Sequence, residues 1–307
     1  MKDHRQSVDR GGTSLIEVLV VIAILSLLAA LTLGGVQRVR ATAARAECQS
    51  RMRQVGLAVQ SYHATHRQYP VGVAYPFSQT EFQISSEHAG ISWLTSILPQ
   101  LEQGAIWQQT WDAHRAQPGG TSAAHEAIWV RRIGVFRCPT DGRTAGTTPA
   151  DPATSWGLNN YIGTSGTGLL ADDGILLQNR SVSIAAVTDG TSNTLLFGER
   201  PSNQNGVQSS WYAGWGQLRF LGGQLLPVSE SWANAPVTGN GGCPPVSLFE
   251  AGVYDSPCHQ NHFWSLHSGG ANFALADGSV RFLRYSAVGI LPALTTKAGG
   301  ETVNVLD

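Results

Sequence analysis

The chain has 307 residues, enough for one sizeable domain or two small ones in addition to an anchor. Charged residues make up 13% of it, against about 25% in typical domains, and the net charge is −1, so the sequence does not favour nucleic-acid binding. Because the chain is rich in glycine and tryptophan and poor in charge, we expect many loops and short strands.

The segment that says most about the protein is an apolar stretch near the N-terminus. Leu15–Leu33 is interrupted only by Glu17, Ser26 and Thr32. As a helix it would be about 28 Å long, close to the ~30 Å hydrocarbon core of a bilayer. No other apolar run in the sequence approaches this length. The sequence therefore predicts one membrane-spanning helix with a soluble part tethered to it.

Three interpretations of this stretch compete. A cleaved secretory signal has a shorter apolar region followed by a small-residue cleavage site, and neither feature fits. An ordinary anchor fits the length but leaves Glu17 unexplained, because a carboxylate in an apolar span costs about 2.5–3.5 kcal/mol on insertion scales. A basic leader, Gly12, a short polar step and Leu-Ile-Glu before a long apolar helix resemble the N-terminus of type IV prepilins and pseudopilins.

This resemblance implies a processing site and a role for the carboxylate. A prepilin peptidase would remove residues 1–12 by cleaving after Gly12, and the new N-terminal residue, Thr13, would be N-methylated. The family usually has phenylalanine at the position of Thr13, so the chain departs from the pattern there. Glu17 would neutralise the terminal amine of a neighbouring subunit, since a carboxylate and an ammonium in a membrane offset each other's desolvation only as a pair.

Helical periodicity continues beyond the span. We assign residues 13–35 to the transmembrane helix and residues 36–68 to an amphipathic continuation that ends at Tyr69-Pro70. The whole helix, from about Thr13 to about His66, would be about 80 Å long. One face carries Cys48, Met52, Val55, Val59 and Tyr62 at spacings of three or four, and the other carries Arg45, Glu47, Gln49, Arg51, Arg53 and Gln60. This pattern predicts a helix that lays one apolar stripe on a soluble core.

Residues 69–307 are expected to form a β-rich domain. The patterns predict short helices in Ile91–Trp107 and Ala123–Arg131, a strand that ends within Phe136–Asp141, and a strand over Thr194–Phe197. The fold class is therefore α+β, with a long N-terminal helix packed on a β-rich head that has short helices and long loops. This is the architecture of pilins.

The clearest local element is a hairpin. Strands over 272–276 and 279–283 flank Asp277-Gly278. An Asp-Gly pair between alternating apolar residues favours a type I′ turn, in which both central residues have positive φ.

The same region carries a second resemblance. His267, nine intervening residues and then Asp277-Gly278 resemble the C-terminal signature of a large, uncharacterised family of pilin-like bacterial proteins with a domain of unknown function. The resemblance extends from Gly12 to about Leu283, and it implies no particular activity. Further blocks in family order are Tyr62-His63, Tyr69-Pro70, Gly72, Trp93, Leu98-Pro99, Glu102-Gln103, Phe136–Asp141, Asp189–Thr194 and Gly198-Glu199.

Three groups of residues invite a reading as sites, each with a structural alternative. His267 and Asp277 could form a catalytic or metal pair, but a hydrogen bond that fixes the hairpin is the more common arrangement. A zinc site could draw on Cys258, His259, His262 and His267, although their spacing matches no standard structural zinc pattern. Calcium could bind at Asp189, Ser192 and Asn193, where a turn stabilised by side-chain hydrogen bonds is more common. We therefore predict no metal or cofactor, with calcium as the weak exception.

The cysteines form an even set of four, which suits an oxidising compartment. Four cysteines permit three pairings, and the sequence alone does not choose among them. Our hypothesis is Cys243–Cys258 together with Cys48–Cys138, of which the second would join the helix to the head.

The favoured function is a structural one. We expect a non-enzymatic pilin-like or pseudopilin-like subunit of a type II secretion or type IV pilus-like assembly. Its partners would be a prepilin peptidase, the lipid bilayer and other pilin-like subunits, which it would contact through the N-terminal helix. The family resemblance places it in the cytoplasmic (inner) membrane, with its C-terminal domain exported to the periplasm or cell surface.

The alternative is a membrane-tethered binding module for a glycan or small solute. An enzyme has least support, because no nucleophile, base and orienting group can be assembled from the sequence.

Overall fold

The structure is a computed structural model that describes residues 14–74, 89–117, 122–142, 157–168, 171–201, 210–215, 225–228, 247–254 and 256–301. Within these ranges the α-helices are α1 (Leu15–His66), α2 (Trp93–Ser96), α3 (Gly104–Ala116), α4 (Ala123–Trp129) and α5 (Leu291–Thr295). The strands are β1 (Val73–Ala74), β2 (Ala89–Ser92), β3 (Tyr161–Gly166), β4 (Leu195–Glu199), β5 (Ala213–Trp215), β6 (Leu225–Pro227), β7 (Gly270–Leu275) and β8 (Val280–Arg284). A long N-terminal helix and a β-sheet head are thus both present, as predicted.

The chain divides into two units, the first ending at Ala44 and the second beginning at Arg45. In the first unit, every described side chain from Ser14 to Ala43 is exposed. The most apolar 18-residue window of α1 has a mean hydropathy of 2.7 and none of it is buried. Among the described helices, α1 alone is long and apolar enough to cross a membrane, so it can serve as an anchor or a signal sequence.

In the second unit, α1 buries the predicted stripe. The helix ends at His66, as predicted, and Arg67 follows with a φ of 63°. The buried residues of α1 are Cys48, Met52, Val55, Gly56, Ala58 and Val59. Their spacing follows the period of the α-helix, which explains why the sequence pattern identified them.

Several polar side chains that we assigned to the opposite face of α1 reach the head instead. Arg51 donates to the backbone carbonyls of Gly134 and Arg137 at 3.0 and 2.9 Å. Gln60 donates to the carbonyl of Ala276. The contact between α1 and the rest of the head is therefore wider than the apolar stripe. A sequence pattern that only separates polar from apolar residues does not reveal these hydrogen bonds.

Two sheets lie within the described part of the head. The larger has the strand order β6-β3-β4-β7-β8, in which β6 runs parallel to β3 and the other pairs are antiparallel. The smaller is antiparallel with the order β1-β2-β5. Side chains of β7 alternate between two hydrophobic clusters, with Phe273 and Leu275 in one and Ala274 in the other. The hydrophobic cluster that contains Ala274 also includes Met52 and Val55, so α1 covers one face of the larger sheet.

The predicted hairpin is confirmed as strands β7 and β8, but its turn differs from the prediction. Gly278 has a φ of 84°, whereas Asp277 is not among the described residues with positive φ. The amide of Gly278 donates to the carbonyl of Leu275 at 2.9 Å. The strands are therefore joined by a three-residue connection, in which a turn is followed by a glycine with left-handed φ. The prediction of a type I′ turn was wrong.

The short elements agree with the sequence only in part. Helix α4 and strand β4 lie where they were predicted. Ile91–Trp107 contains the predicted short helices as α2, a 3₁₀ turn and the start of α3, but it begins in strand β2. The strand predicted to end within Phe136–Asp141 is a 3₁₀ turn at Gly134–Phe136, followed by a turn in which the amide of Asp141 donates to the carbonyl of Cys138.

Candidate functional site

The predicted processing signal is described only from Ser14 onward, and Gly12 and Thr13 lie outside the described residues. Glu17 lies in the first turn of α1, where its Oε2 accepts the backbone N–H of Ser14 at 3.0 Å. The first amides of a helix have no partner within the helix, and the helix dipole favours negative charge there. The carboxylate therefore has a local structural partner while it remains exposed.

A buried polar centre lies in the head around Glu199, the last residue of β4. Glu199 is 2% exposed, and its Oε2 accepts both the backbone and side-chain N–H groups of Asn272, at 2.7 and 3.0 Å. Its Oε1 faces Nε2 of His267 at 3.3 Å without hydrogen-bond alignment. Gln49 of α1 donates to Oδ1 of Asn272 at 2.9 Å. This centre joins α1, two strands and the loop before β7.

The disulfide Cys48–Cys138 adjoins this centre and confirms one predicted pair. Its two Cα atoms are 4.9 Å apart, and it connects α1 to the segment after the 3₁₀ turn. Sγ of Cys138 lies 3.5 Å from Nε2 of His267. The two sulfurs lie within 4.8 Å of Glu199 and His267, but as disulfide sulfurs they are not thiolate ligands. The other predicted pair, Cys243–Cys258, includes Cys243, which lies outside the described residues.

The two ends of the family signature have different partners. His267 is buried beside Glu199 and Cys138. Oδ1 of Asp277 instead accepts the backbone N–H of Ser279 at 2.8 Å, and the amide of Asp277 donates to the carbonyl of Thr191 at 2.9 Å. The histidine therefore contributes to the polar centre and the Asp-Gly pair to the hairpin turn.

The turn of this signature packs closely against a glycine of α1. A Cβ placed on Gly56 of α1 would lie 3.1 Å from both Cα and O of Gly278, so the helix and the turn approach each other backbone to backbone. Gly278 also has the left-handed φ that side chains disfavour. The pair of glycines brings the turn directly against α1.

A second cluster of polar side chains consists of Glu250, His259 and His262. Nδ1 of His259 lies 2.8 Å from Nε2 of His262, and the three ligand atoms of the cluster lie within 4.8 Å of one another. Burial lowers the pKa of His262 to about 4, so its ring is neutral near pH 7. The residues considered for zinc are divided between two places, because His267 belongs to the polar centre.

Glu250 could not be predicted from the sequence because its neighbours are set by a non-local contact. Phe249 forms an isolated parallel bridge with Phe263, and the amide of Phe263 donates to the carbonyl of Leu248 at 3.2 Å. This bridge places Glu250, the residue after Phe249, close to His259 and His262. No hydrophobic period or short motif in the sequence encodes such a bridge.

A third cluster joins α3 and α4 through histidines that the sequence did not single out. Nδ1 of His125 lies 2.5 Å from the hydroxyl of Tyr212, and its Nε2 lies 2.8 Å from the carbonyl of Gln117. Burial lowers the pKa of the neighbouring His114 to about 4, with a smaller contribution from His125. Burial likewise raises the pKa of Tyr212. The rings of His114 and Tyr212 are therefore packed as neutral groups.

The loop suggested for calcium uses its carboxylate internally. The two carboxylate oxygens of Asp189 accept the backbone amides of Gly299 and Gly300 at 2.7 and 3.0 Å. The side-chain amide of Asn193 donates to the carbonyl of Asp189 at 3.1 Å, and Ser192 is exposed. The observed contacts are those of a side-chain-stabilised turn.

Comparison with known proteins identifies a family but supplies no activity. No curated protein and no solved structure matches the chain significantly. A family profile described as "Protein of unknown function (DUF1559)" matches residues 37–287, most of the chain and nearly all of the head. The chain belongs to this uncharacterised family.

Proposed function

We propose that the protein is a membrane-anchored, pilin-like structural subunit whose N-terminal helix packs beside the helices of similar subunits. The observation that carries this proposal is the first part of α1. Every described side chain from Ser14 to Ala43 is exposed, over a helix with a mean hydropathy of 2.7 in its most apolar window. Burial of apolar surface is worth roughly 25 cal/mol per Å², so a helix that is apolar on all sides favours lipid or other apolar helices over water.

Glu17 supports assembly over simple anchoring. Between Leu15 and Leu33 it is the only charged side chain. Cleavage after Gly12 would create a charged terminal amine on Thr13, and a carboxylate near the membrane is stabilised by such a partner. In an assembly, Glu17 would pair with the amine of an adjacent subunit as the helices come together.

The first test is the mass of the mature protein isolated from the membranes of its own source. We expect a protein that begins at Thr13 and carries one additional methyl group. A mature protein that still begins at Met1 would contradict processing by a prepilin peptidase.

The second test separates assembly from insertion. Glu17→Gln should reduce assembly, measured as crosslinked or sheared multimers, without reducing the amount of protein in the membrane fraction. Glu47→Gln is the matched control, because Glu47 is an exposed carboxylate on the same helix that pairs with Arg51 at 2.6 Å in the head unit. Equal multimer yields from the wild type and both variants would contradict the proposed role of Glu17.

One observation favours the binding-module alternative. Trp107 and Trp111 lie one turn apart on α3 with ring centroids 5.8 Å apart, and Trp111 is 45% exposed. Exposed indole rings are suited to stacking on sugar faces. If Glu17→Gln leaves assembly unchanged while Trp111→Ala abolishes retention on an immobilised oligosaccharide, the binding module becomes the better description.

A further inference from the structure

We propose that Glu250, His259 and His262 form a binding site for a divalent first-row metal ion, with Zn²⁺ as the ion to test. Imidazole nitrogen and carboxylate oxygen are both common zinc ligands, and two histidines with one glutamate form a known set of three protein ligands. The ligand atoms lie within 4.8 Å of one another in the present structure.

The local backbone brings the two histidines together. A 3₁₀ turn spans Pro257–Gln260, and the chain beyond its end returns His262 to His259, so that Nε2 of His262 lies 2.8 Å from Nδ1 of His259. The ring of Trp264 donates from Nε1 to the carbonyl of His259 at 2.8 Å, which fixes the backbone of the first ligand.

The tautomer of His262 is suited to metal binding. Its Nδ1 lies 3.0 Å from the carbonyl oxygen of Phe263, which can only accept, so Nδ1 carries the proton and Nε2 keeps its lone pair. A backbone carbonyl that orients one ring nitrogen while the other faces the metal is the usual arrangement of a ligating histidine. That lone pair accepts the N–H of His259 Nδ1 at 2.8 Å.

Binding requires only a small local change. Two nitrogens bound tetrahedrally at about 2.0–2.1 Å from zinc are separated by roughly 3.3 Å. The rings of His259 and His262 would therefore open by roughly 0.5 Å, and the proton of His259 would move from Nδ1 to Nε2. Both His259 and Glu250 are half-buried and His262 is buried, so the site combines one fixed ligand with two that can adjust.

The charges near the cluster include one unfavourable contribution. Arg200 donates to the carbonyl of Gln260 at 2.7 Å, and its positive charge disfavours a second cation nearby. Glu250, in contrast, supplies negative charge, and it is the only carboxylate in the described cluster. The proposal therefore predicts that affinity depends strongly on Glu250.

The test is a titration of the full-length protein in detergent with Zn²⁺ alone, after removal of metals with a chelator. We expect one equivalent to bind, and we expect Glu250→Gln and His259→Gln each to weaken binding by at least about tenfold. His66→Gln is the matched control, since His66 is an exposed histidine on α1, and it should bind like the wild type.

A second measurement keeps the test independent of folding. Zn²⁺ should raise the unfolding temperature of the wild type and of His66→Gln, and it should have little effect on the two ligand variants, whose metal-free unfolding temperatures should match that of the wild type. If both ligand variants bind zinc with unchanged affinity, or if the wild type binds no zinc at micromolar concentrations, the proposal is wrong.

Discussion

Two stretches of the single helix α1 have opposite environments. From Leu15 to Leu33 nearly every residue is apolar and every side chain is exposed. From Cys48 to Val59 the sequence is amphipathic, and one stripe of side chains is buried in the head. The helical backbone is the same in both stretches, so the distribution of apolar side chains around the helix decides what each one can pack against.

The comparison separates two sources of stability. The second stretch is held by packing, by hydrogen bonds from Gln49 and Arg51, and by a disulfide from Cys48. Within the first unit the described side-chain hydrogen bonds are local, such as that from Ser26 to the carbonyl of Ile22 at 2.6 Å. We therefore expect substitutions in the second stretch to change the unfolding of the head, and substitutions in the first to change the association with lipid.

The largest effect should come from removing the disulfide. Cys48 and Cys138 are separated by 90 residues, and the loop-entropy model assigns about 4–5 kcal/mol to closing a loop of this length. Cys48→Ala combined with Cys138→Ala should therefore lower the free energy of unfolding of the head by about that amount, measured in urea.

The control for this prediction lies in the first stretch. Ser26→Ala removes a local hydrogen bond and should leave the free energy of unfolding of the head within about 0.5 kcal/mol of the wild type. A double cysteine variant that loses less than about 1 kcal/mol would indicate that the core alone holds the second stretch in place.

The features that could be predicted from the sequence are those set by local rules. Helical spacing identified Met52 and Val55 as core residues, and the Asp277-Gly278 pair located the hairpin. The polar centre was beyond such rules, because Glu199 and Asn272 meet only through the pairing of β4 with β7, which are about 70 residues apart in the chain.

The same limit applies to side chains at the boundary of a pattern. Gln49 is polar, so the helical pattern assigned it to the face away from the core, although it donates to Asn272. The cluster of Glu250, His259 and His262 depends likewise on the bridge between Phe249 and Phe263. In each case the partner of the side chain is determined by tertiary contacts between segments that are distant in the chain. Composition and periodicity carry no information about such contacts.

The next largest effect should come from a charge placed in the first stretch. Ile24 and Leu57 are both exposed on α1, at 52% and 63%. Ile24→Arg should make membrane insertion less favourable by about 3 kcal/mol, which lowers the insertion equilibrium constant roughly a hundredfold. We expect to detect this change in a microsomal insertion assay with an engineered glycosylation site.

Leu57→Arg is the matched substitution in the second stretch. It should leave insertion unchanged and alter the free energy of unfolding by no more than about 0.5 kcal/mol, because Leu57 lies outside the buried stripe. If Ile24→Arg inserts as well as Leu57→Arg, the first stretch is not in contact with lipid, and the distinction between the two stretches would fail.

The smallest effect should come from mild acid, which acts on the head alone. Burial lowers the pKa of His114 to about 4, while an unfolded histidine titrates near 6.5, so the unfolded chain binds more protons between these values. Stability is therefore complete above about pH 6.5 and falls as the pH decreases toward 4, by about 2 kcal/mol between pH 7 and pH 5 from this residue. His114→Gln should reduce the slope of unfolding free energy against pH, measured by urea unfolding in detergent, whereas His66→Gln at an exposed position should leave the slope unchanged. The first stretch contains no histidine, so the membrane-bound fraction should stay constant between pH 7 and pH 5. A loss of membrane association that parallels the unfolding of the head would show that the two stretches do not respond independently.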